Sequence, residues 1–166
     1  MNNSIFLDID TQIDFMNADG ALYVPGAEKI KQNIVSIFKC AANSDIKIIS
    51  SLDTHFIDDP EFEYFPPHCL TGSYGHQKLD ETILNNNIIV SVDHKGSLPI
   101  TFSQYIFEKN TYNIFSNKFV DVLINQINPD KFYVFGVATD YCFKSAILGL
   151  LEREYNVVLI EDAIAG

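Results

Sequence analysis

A cysteine, a lysine and an aspartate each stand just past an apolar run, and together they hold the parts needed to hydrolyse an amide. The stretch Val134-Phe135-Gly136-Val137-Ala138-Thr139-Asp140-Tyr141-Cys142 breaks at a glycine and delivers Cys142 to a helix predicted over Phe143 to Glu154, with apolar positions Ala146, Ile147, Leu150 and Leu151. At a helix start the unpaired N–H groups and the positive end of the dipole favour thiolate, lowering a reference thiol pKa of about 8.5. The same N–H groups could hold an oxyanion. By residue type alone a buried structural cysteine is commoner. The place of Cys142 after a strand-to-helix turn favours a nucleophile.

A thiolate attacking a carboxamide needs a cation to hold its charge, a proton for the departing amine and donors for the oxyanion. Lys109 could supply the charge and Asp10 could relay the proton. Taken singly, Asp10 reads as a turn former and Lys109 as a solvated strand end. Their joint position with Cys142 gives them meaning.

The elements that must position these groups follow from periodicity. Strands are expected over Ile5 to Ile9, Ile46 to Ser50, Ile88 to Val92, Tyr105 to Glu108, Lys131 to Phe135 and Val157 to Ile160. Helical spacing covers Ala27 to Ala42, through Ile30, Ile34, Ile37, Phe38 and Ala41, and the run Phe119, Val120, Leu123, Ile124, Ile127. Strands alternating with helices imply parallel pairing with helices on both faces, a three-layer α/β/α sandwich. In such a sheet the loops after the strands share one edge, where ligands bind. Asp10, Asp53, His55, Lys109 and Cys142 all fall on that rim.

With 166 residues the chain fits one domain, and 47% hydrophobic against 20% charged residues argues for a folded core. A net charge of −11 leaves no basic patch for phosphates, so nucleic acid is not an expected partner. Cys40, Cys69 and Cys142 are an odd number without scaffold spacing, which suits a reducing compartment. The N-terminus lacks a basic region and no apolar run is long enough to span a bilayer, so a cytoplasmic protein with no membrane partner is expected.

The run Phe6-Leu7-Asp8-Ile9-Asp10-Thr11-Gln12-Ile13-Asp14-Phe15 resembles the opening of the isochorismatase-like cysteine hydrolases: apolar strand, Asp, any residue, Gln, two residues, Phe. In that register Asp10, not Asp8, matches the catalytic acid. Phe107-Glu108-Lys109 looks like the family's lysine segment, and Gly136 to Cys142 resembles its cysteine motif closely. The resemblance implies an Asp10, Lys109, Cys142 triad. It also implies a cis peptide between Val137 and Ala138 that aims the N–H groups of Ala138 and Cys142 at an oxyanion hole.

Within the family, Ser51-Leu52-Asp53-Thr54-His55 and Phe65-Pro66-Pro67-His68-Cys69-Leu70-Thr71-Gly72-Ser73 resemble the nicotinamidase branch. That likeness implies deamidation of nicotinamide to nicotinate and ammonia, a step of pyridine nucleotide salvage. It also implies one divalent metal on Asp53, His55 and His68. One carboxylate and two imidazoles with open positions suit zinc, the first choice, or iron or manganese. Some members add a fourth ligand, which Glu61 or Glu63 could supply; spacing from His68 favours Glu61. Phe15, Phe65 and Tyr112 could hold a planar ring, Phe65 standing where nicotinamidases commonly carry tryptophan. His76 and His94 read as ordinary surface or core residues.

The resemblance covers nearly all of a single domain over 1–166. It implies a further helix and strand beyond Gly166, so the domain is either cut or minimal. Val157 to Ile160 would then be an exposed sheet edge, which self-association would cover, and a homo-oligomer is expected.

Rival readings are narrower. Asp8-Ile9-Asp10 also resembles the start of a haloacid-dehalogenase-type phosphatase, with Asp8 as nucleophile and Glu161-Asp162 holding magnesium, but that leaves His68 and Cys142 unexplained. True isochorismatases lack the nucleophilic cysteine and the metal histidines. A metal-independent cysteine amidase of the same family, acting on another amide, is the runner-up. A non-catalytic binding protein is the third class, against which Asp10, Lys109 and Cys142 stand.

Overall fold

Ten regular elements run β1 (Ser4–Ile9), α1 (Ile13–Met16), α2 (Ala27–Ala42), β2 (Lys47–Asp53), β3 (Asn87–Val90), β4 (Gln104–Lys109), α3 (Phe119–Ile127), β5 (Lys131–Gly136), α4 (Lys144–Glu152) and β6 (Asn156–Ile164). They are described by a computed structural model over residues 3–166. The strands form one sheet in the order β3-β4-β2-β1-β5-β6, with every neighbouring pair parallel. Parallel strands need crossovers, and the helices supply them. The α/β/α sandwich expected from the alternation is the fold observed.

Side chains alternate across the strands and feed two cores. Ile5, Leu7 and Ile9 of β1, with Phe132 and Val134 of β5, pack against α3 and α4 through Val120, Leu123, Ile124, Ala146 and Leu150. On the opposite face Phe6, Ile48 and Phe135 meet Ile30, Ile34 and Phe38 of α2. Fully burying side chains of this size contributes about 1.5–3 kcal/mol each, which makes the sheet the rigid part on which the rim loops stand.

Several boundaries differ from the periodicity, each for a local reason. β2 continues past Ser50 to Asp53 because it keeps pairing with β4, Asp53 lying opposite Lys109. β3 stops at Val90 rather than Val92, where the Asn117 side-chain amide donates to the Val90 carbonyl instead. The expected helix after Cys142 begins one residue later, at Lys144, and ends at Glu152, before Glu154 takes a positive φ of 61°. β6 runs on to Ile164 because its register with β5 shifts between Val134 and Gly136. It lies at the edge of the sheet with Val158 and Leu159 exposed. No helix among the described residues is long and apolar enough to cross a membrane.

Gly136 ends β5 with φ of 119°, and a Cβ built there would lie 2.1 Å from the carbonyl oxygen of Ile9. Only a residue without a side chain lets β5 turn this closely against β1. Gly136→Ala should therefore destabilise the fold by about 3 kcal/mol. Urea unfolding checks this, and an unchanged midpoint would show that the strand ends can part without cost.

Candidate active site

Four neighbouring strands deliver the polar rim. Asp10 follows β1, Asp53 closes β2, Lys109 closes β4 and Cys142 follows β5. Lys109 is the centre of the arrangement and is 1% exposed. Its Nζ lies 3.0 Å from Asp10 Oδ2, 2.8 Å from Asp53 Oδ1 and 3.4 Å from Cys142 Sγ. It is no solvated strand end. Burial opposes its charge, but Asp10, Asp53 and Cys142 more than compensate, so the ammonium is held well above its ordinary pKa.

Asp10 takes a left-handed backbone, φ 49°. Its N–H donates to Ser51 Oγ at 3.0 Å, and the Ser51 hydroxyl donates to Asp10 Oδ1 at 2.6 Å. Ser51 thus leaves Oδ2 to face Lys109.

Cys142 corrects the expected local structure and the direction of its ionisation. It sits in a π-helical turn, Thr139–Phe143, ahead of α4 and not in the first α-turn. Burial pushes its thiol up, the Asp10 carboxylate pushes it further, and Lys109 pulls it back only in part. The resting group is therefore a thiol. Loss of water and a carboxylate at close range outweigh a helix start that a bent turn does not provide. The Val137–Ala138 peptide is cis, and Ala138 lines the same cavity as Cys142.

Beside this triad, ligand atoms of Asp53, His55 and His68 lie within 4.8 Å of one another, all buried. His55 Nε2 is 2.9 Å and His68 Nε2 3.3 Å from Asp53 Oδ2. Both rings are anchored by the other nitrogen: His55 Nδ1 lies 2.9 Å from Asp59 Oδ2, and His68 Nδ1 lies 2.9 Å from the Pro66 carbonyl. Imidazoles fixed at Nδ1 with Nε2 converging on a carboxylate fit a small divalent metal. Burial raises the Asp53 carboxyl, but Lys109 and the two histidines hold it below the usual carboxylate range. For His55, burial is outweighed by Asp53 and Asp59, which push it up to about 9.

Glu61 lines the cavity and falls in a second cluster with His55 and Asp59, whereas Glu63 is exposed and outside it. The cavity measures about 220 Å³ and is walled by Phe15, Phe65, Tyr112 and Tyr141. Phe15 meets His68 at 5.5 Å between ring centroids, and Phe65 meets Tyr141 edge-on at 5.7 Å. Asp10, Phe15, Asp53, Glu61, Phe65, His68, Tyr112, Ala138 and Cys142 therefore border one hollow, Lys109 and His55 are buried against Asp53, and Glu63 lies apart. His76 instead bonds Thr54 Oγ1 at 3.0 Å, and His94 packs edge-on against Phe119.

Several supporting roles escaped the sequence reading, which had Gln12 only as a motif position. Gln12 grips Asp53, accepting from its N–H at 2.7 Å and donating to its carbonyl at 2.9 Å. Phe62 lies 5.4 Å from His55 and 5.6 Å from His68. Asp59 carries one available signal, its four-residue spacing from His55. The phosphatase alternative loses its nucleophile: Asp8 is fully buried in an ion pair with Lys78 at 2.8 Å, while Glu161 and Asp162 are exposed on β6.

Comparison with known proteins agrees with this fold. A model described as the Isochorismatase domain matches residues 4–166. The nicotinamidase of Escherichia coli (strain K12) is 27% identical over 177 residues, which span 95% of this chain and 81% of that protein. The structure of nicotinamidase PncA from Bacillus subtilis superimposes with a TM-score of 0.81 at 21% identity, covering 99% of this chain and 87% of that one. A pyrazinamidase of Pyrococcus horikoshii, solved in complex with zinc, gives 0.80 at 23% identity over 99% and 87%.

The geometry makes Lys109 the one group that lowers the thiol against burial and two carboxylates. Lys109→Met should shift the pH profile of Cys142 alkylation by iodoacetamide to higher pH, because the cation favours thiolate. The same change strands Asp10 and Asp53 without their counter-ion and should cost about 3 kcal/mol of stability. Lys109→Arg, keeping the charge, separates the two effects. An unmoved profile in folded Lys109→Met protein would contradict the arrangement.

Proposed function

The chain belongs to the isochorismatase domain family and is an amidase-type hydrolase, and from that premise we propose that it deamidates nicotinamide through a thioester on Cys142, with one bound divalent metal. The observation that carries this reading is the buried ammonium of Lys109, which touches Asp10, Cys142 and Asp53 and so joins a nucleophile to a metal-type donor cluster.

The steps follow from the atoms in place. As the carboxamide enters, Asp10 takes the proton from Cys142 Sγ, and Lys109 holds the charge that appears on sulfur. Sulfur attacks the amide carbon, and the oxyanion is stabilised by the N–H groups of Ala138 and Cys142. Collapse expels ammonia with the proton held on Asp10. Asp10 then deprotonates a water that opens the thioester, releasing nicotinate and restoring the thiol. A resting thiol suits this route, since the Asp10 carboxylate that raises it can also take its proton.

Asp53, His55 and His68 would hold the metal, with Glu61 next to them. When bound, it would offer coordination positions to a ring nitrogen and so fix the distance from ring to sulfur. Phe15, Phe65 and Tyr112 would wall the ring. The donor chemistry suits zinc, iron or manganese, and the zinc complex of a relative favours zinc. A second reading, a metal-independent amidase for another amide, would be favoured by failure of the metal arm alone.

Zinc-reconstituted protein should release ammonia from nicotinamide, and Cys142→Ala should lose at least about a thousand-fold in kcat, as removal of a nucleophile does. Mass spectrometry with a slow substrate should find the acyl adduct on Cys142; an adduct on Cys40 or Cys69 overturns the assignment. His55→Ala should lose stoichiometric zinc by elemental analysis while Cys142 stays open to alkylation. Full turnover by metal-free protein would reject the metal.

A further inference from the structure

The fold buries a second ion pair directly behind the rim, and the reaction leaves it unused. Asp8 and Lys78 are 0% and 3% exposed. Asp8 Oδ2 lies 2.8 Å from Lys78 Nζ and accepts from the Ser50 hydroxyl at 2.8 Å. Lys78 Nζ also donates to Thr11 Oγ1 at 2.8 Å, and the Thr11 hydroxyl lies 3.2 Å from Thr82 Oγ1. Thr11 stands between Asp10, which faces Lys109, and Gln12, which grips Asp53.

The main chain is clamped at the same place. Leu79 N–H donates to the Thr11 carbonyl at 3.0 Å, Ile13 N–H donates to the Gln77 carbonyl at 2.9 Å, and Gln12 forms an antiparallel bridge with Lys78. This matters because Asp10 is left-handed, a conformation that a residue with a Cβ keeps only when its surroundings impose it. Ser51 holds the Asp10 N–H and Oδ1 from one side. The residue that follows must be held from the other side, or the backbone relaxes and the carboxylate turns.

We propose that Thr11, tied down by the Lys78–Asp8 pair, is a positioning residue that fixes the backbone of Asp10 and so aims its carboxylate at Lys109 and Cys142. The inference rests on the reading of Asp10 as the proton relay. It gives the buried pair a purpose: an ammonium that must find a second acceptor makes the Thr11 hydroxyl obligatory. Thr11 is fully buried and lies outside the cavity lining, so it acts through Asp10.

The two roles of Asp10 give a test with opposed signs. Its carboxylate disfavours the thiolate in the resting protein and relays the proton during turnover. Releasing it should speed alkylation and slow catalysis together. Thr11→Val removes the hydroxyl and keeps the shape. It should lower kcat for nicotinamide about ten-fold, as a displaced proton relay does, with KM within about two-fold of the parent. Its Cys142 should react with iodoacetamide about three-fold faster while Cys69, fully buried beside His68, stays unreactive. Thr11→Ser, which keeps the hydroxyl, should restore both. The charge-balanced double variant Asp8→Asn with Lys78→Met should behave as Thr11→Val. Parental kcat and parental Cys142 reactivity in either protein would overturn the proposal, and so would Cys69 becoming reactive together with Cys142, which would mark general loosening. If the parent does not hydrolyse nicotinamide, the function reading fails and the alkylation arm still decides the positioning of Asp10.

Discussion

One buried ammonium governs this site. Lys109 and the two carboxylates it faces are almost wholly withdrawn from bulk solvent, so each charge depends on the others for compensation. The ammonium, two carboxylates and a thiol carry a net charge of −1 while the thiol is protonated. Ionising sulfur adds a second negative charge, which explains why the thiol is pushed up at rest despite a cation 3.4 Å away. The balance sets when the sulfur ionises. It also binds the thiol side to the histidine side, because Asp53 spends one oxygen on Lys109 and the other on the imidazoles.

The sheet makes this convergence possible. In the order β4-β2-β1-β5 the strands bearing Lys109, Asp53, Asp10 and Cys142 are immediate neighbours, although Asp10 and Cys142 are far apart in the chain. Parallel strands end on one edge, so their last residues meet without any long loop having to find them. What the loops add is finer: a left-handed Asp10, a close turn at Gly136 and a π-helical turn at Cys142. The rigid part brings the groups within reach, and the irregular part sets their orientation.

Much of this was legible in the residues. Regular spacing through Ile30, Ile34 and Phe38 predicts a helix over Ala27 to Ala42, where α2 lies, and the alternation of elements predicts the parallel sandwich. The rim residues were legible because each follows an apolar strand. What periodicity could not reveal depends on partners distant in sequence. Short turns such as Pro60–Glu63 have no period to read. The ionisation of Cys142 reverses the local expectation, since a helix start acts over one turn whereas burial and Asp10 act through the assembled fold. Asp8 likewise looked like a candidate nucleophile until Lys78, seventy residues on, closed over it.

The anchoring of both imidazoles at Nδ1 bears on how a cation would be received. Rings already locked by Asp59 and the Pro66 carbonyl have surrendered their rotational freedom during folding, so the seat is preorganised and little ordering entropy remains to be lost on loading. Asp53 and Asp59, one on each ring nitrogen, favour the protonated form of His55 and push it up to about 9. A divalent ion on the proposed ligands would displace that proton, so two positive charges would enter as one leaves. Apparent affinity for such an ion would then climb with pH until His55 is neutral without help.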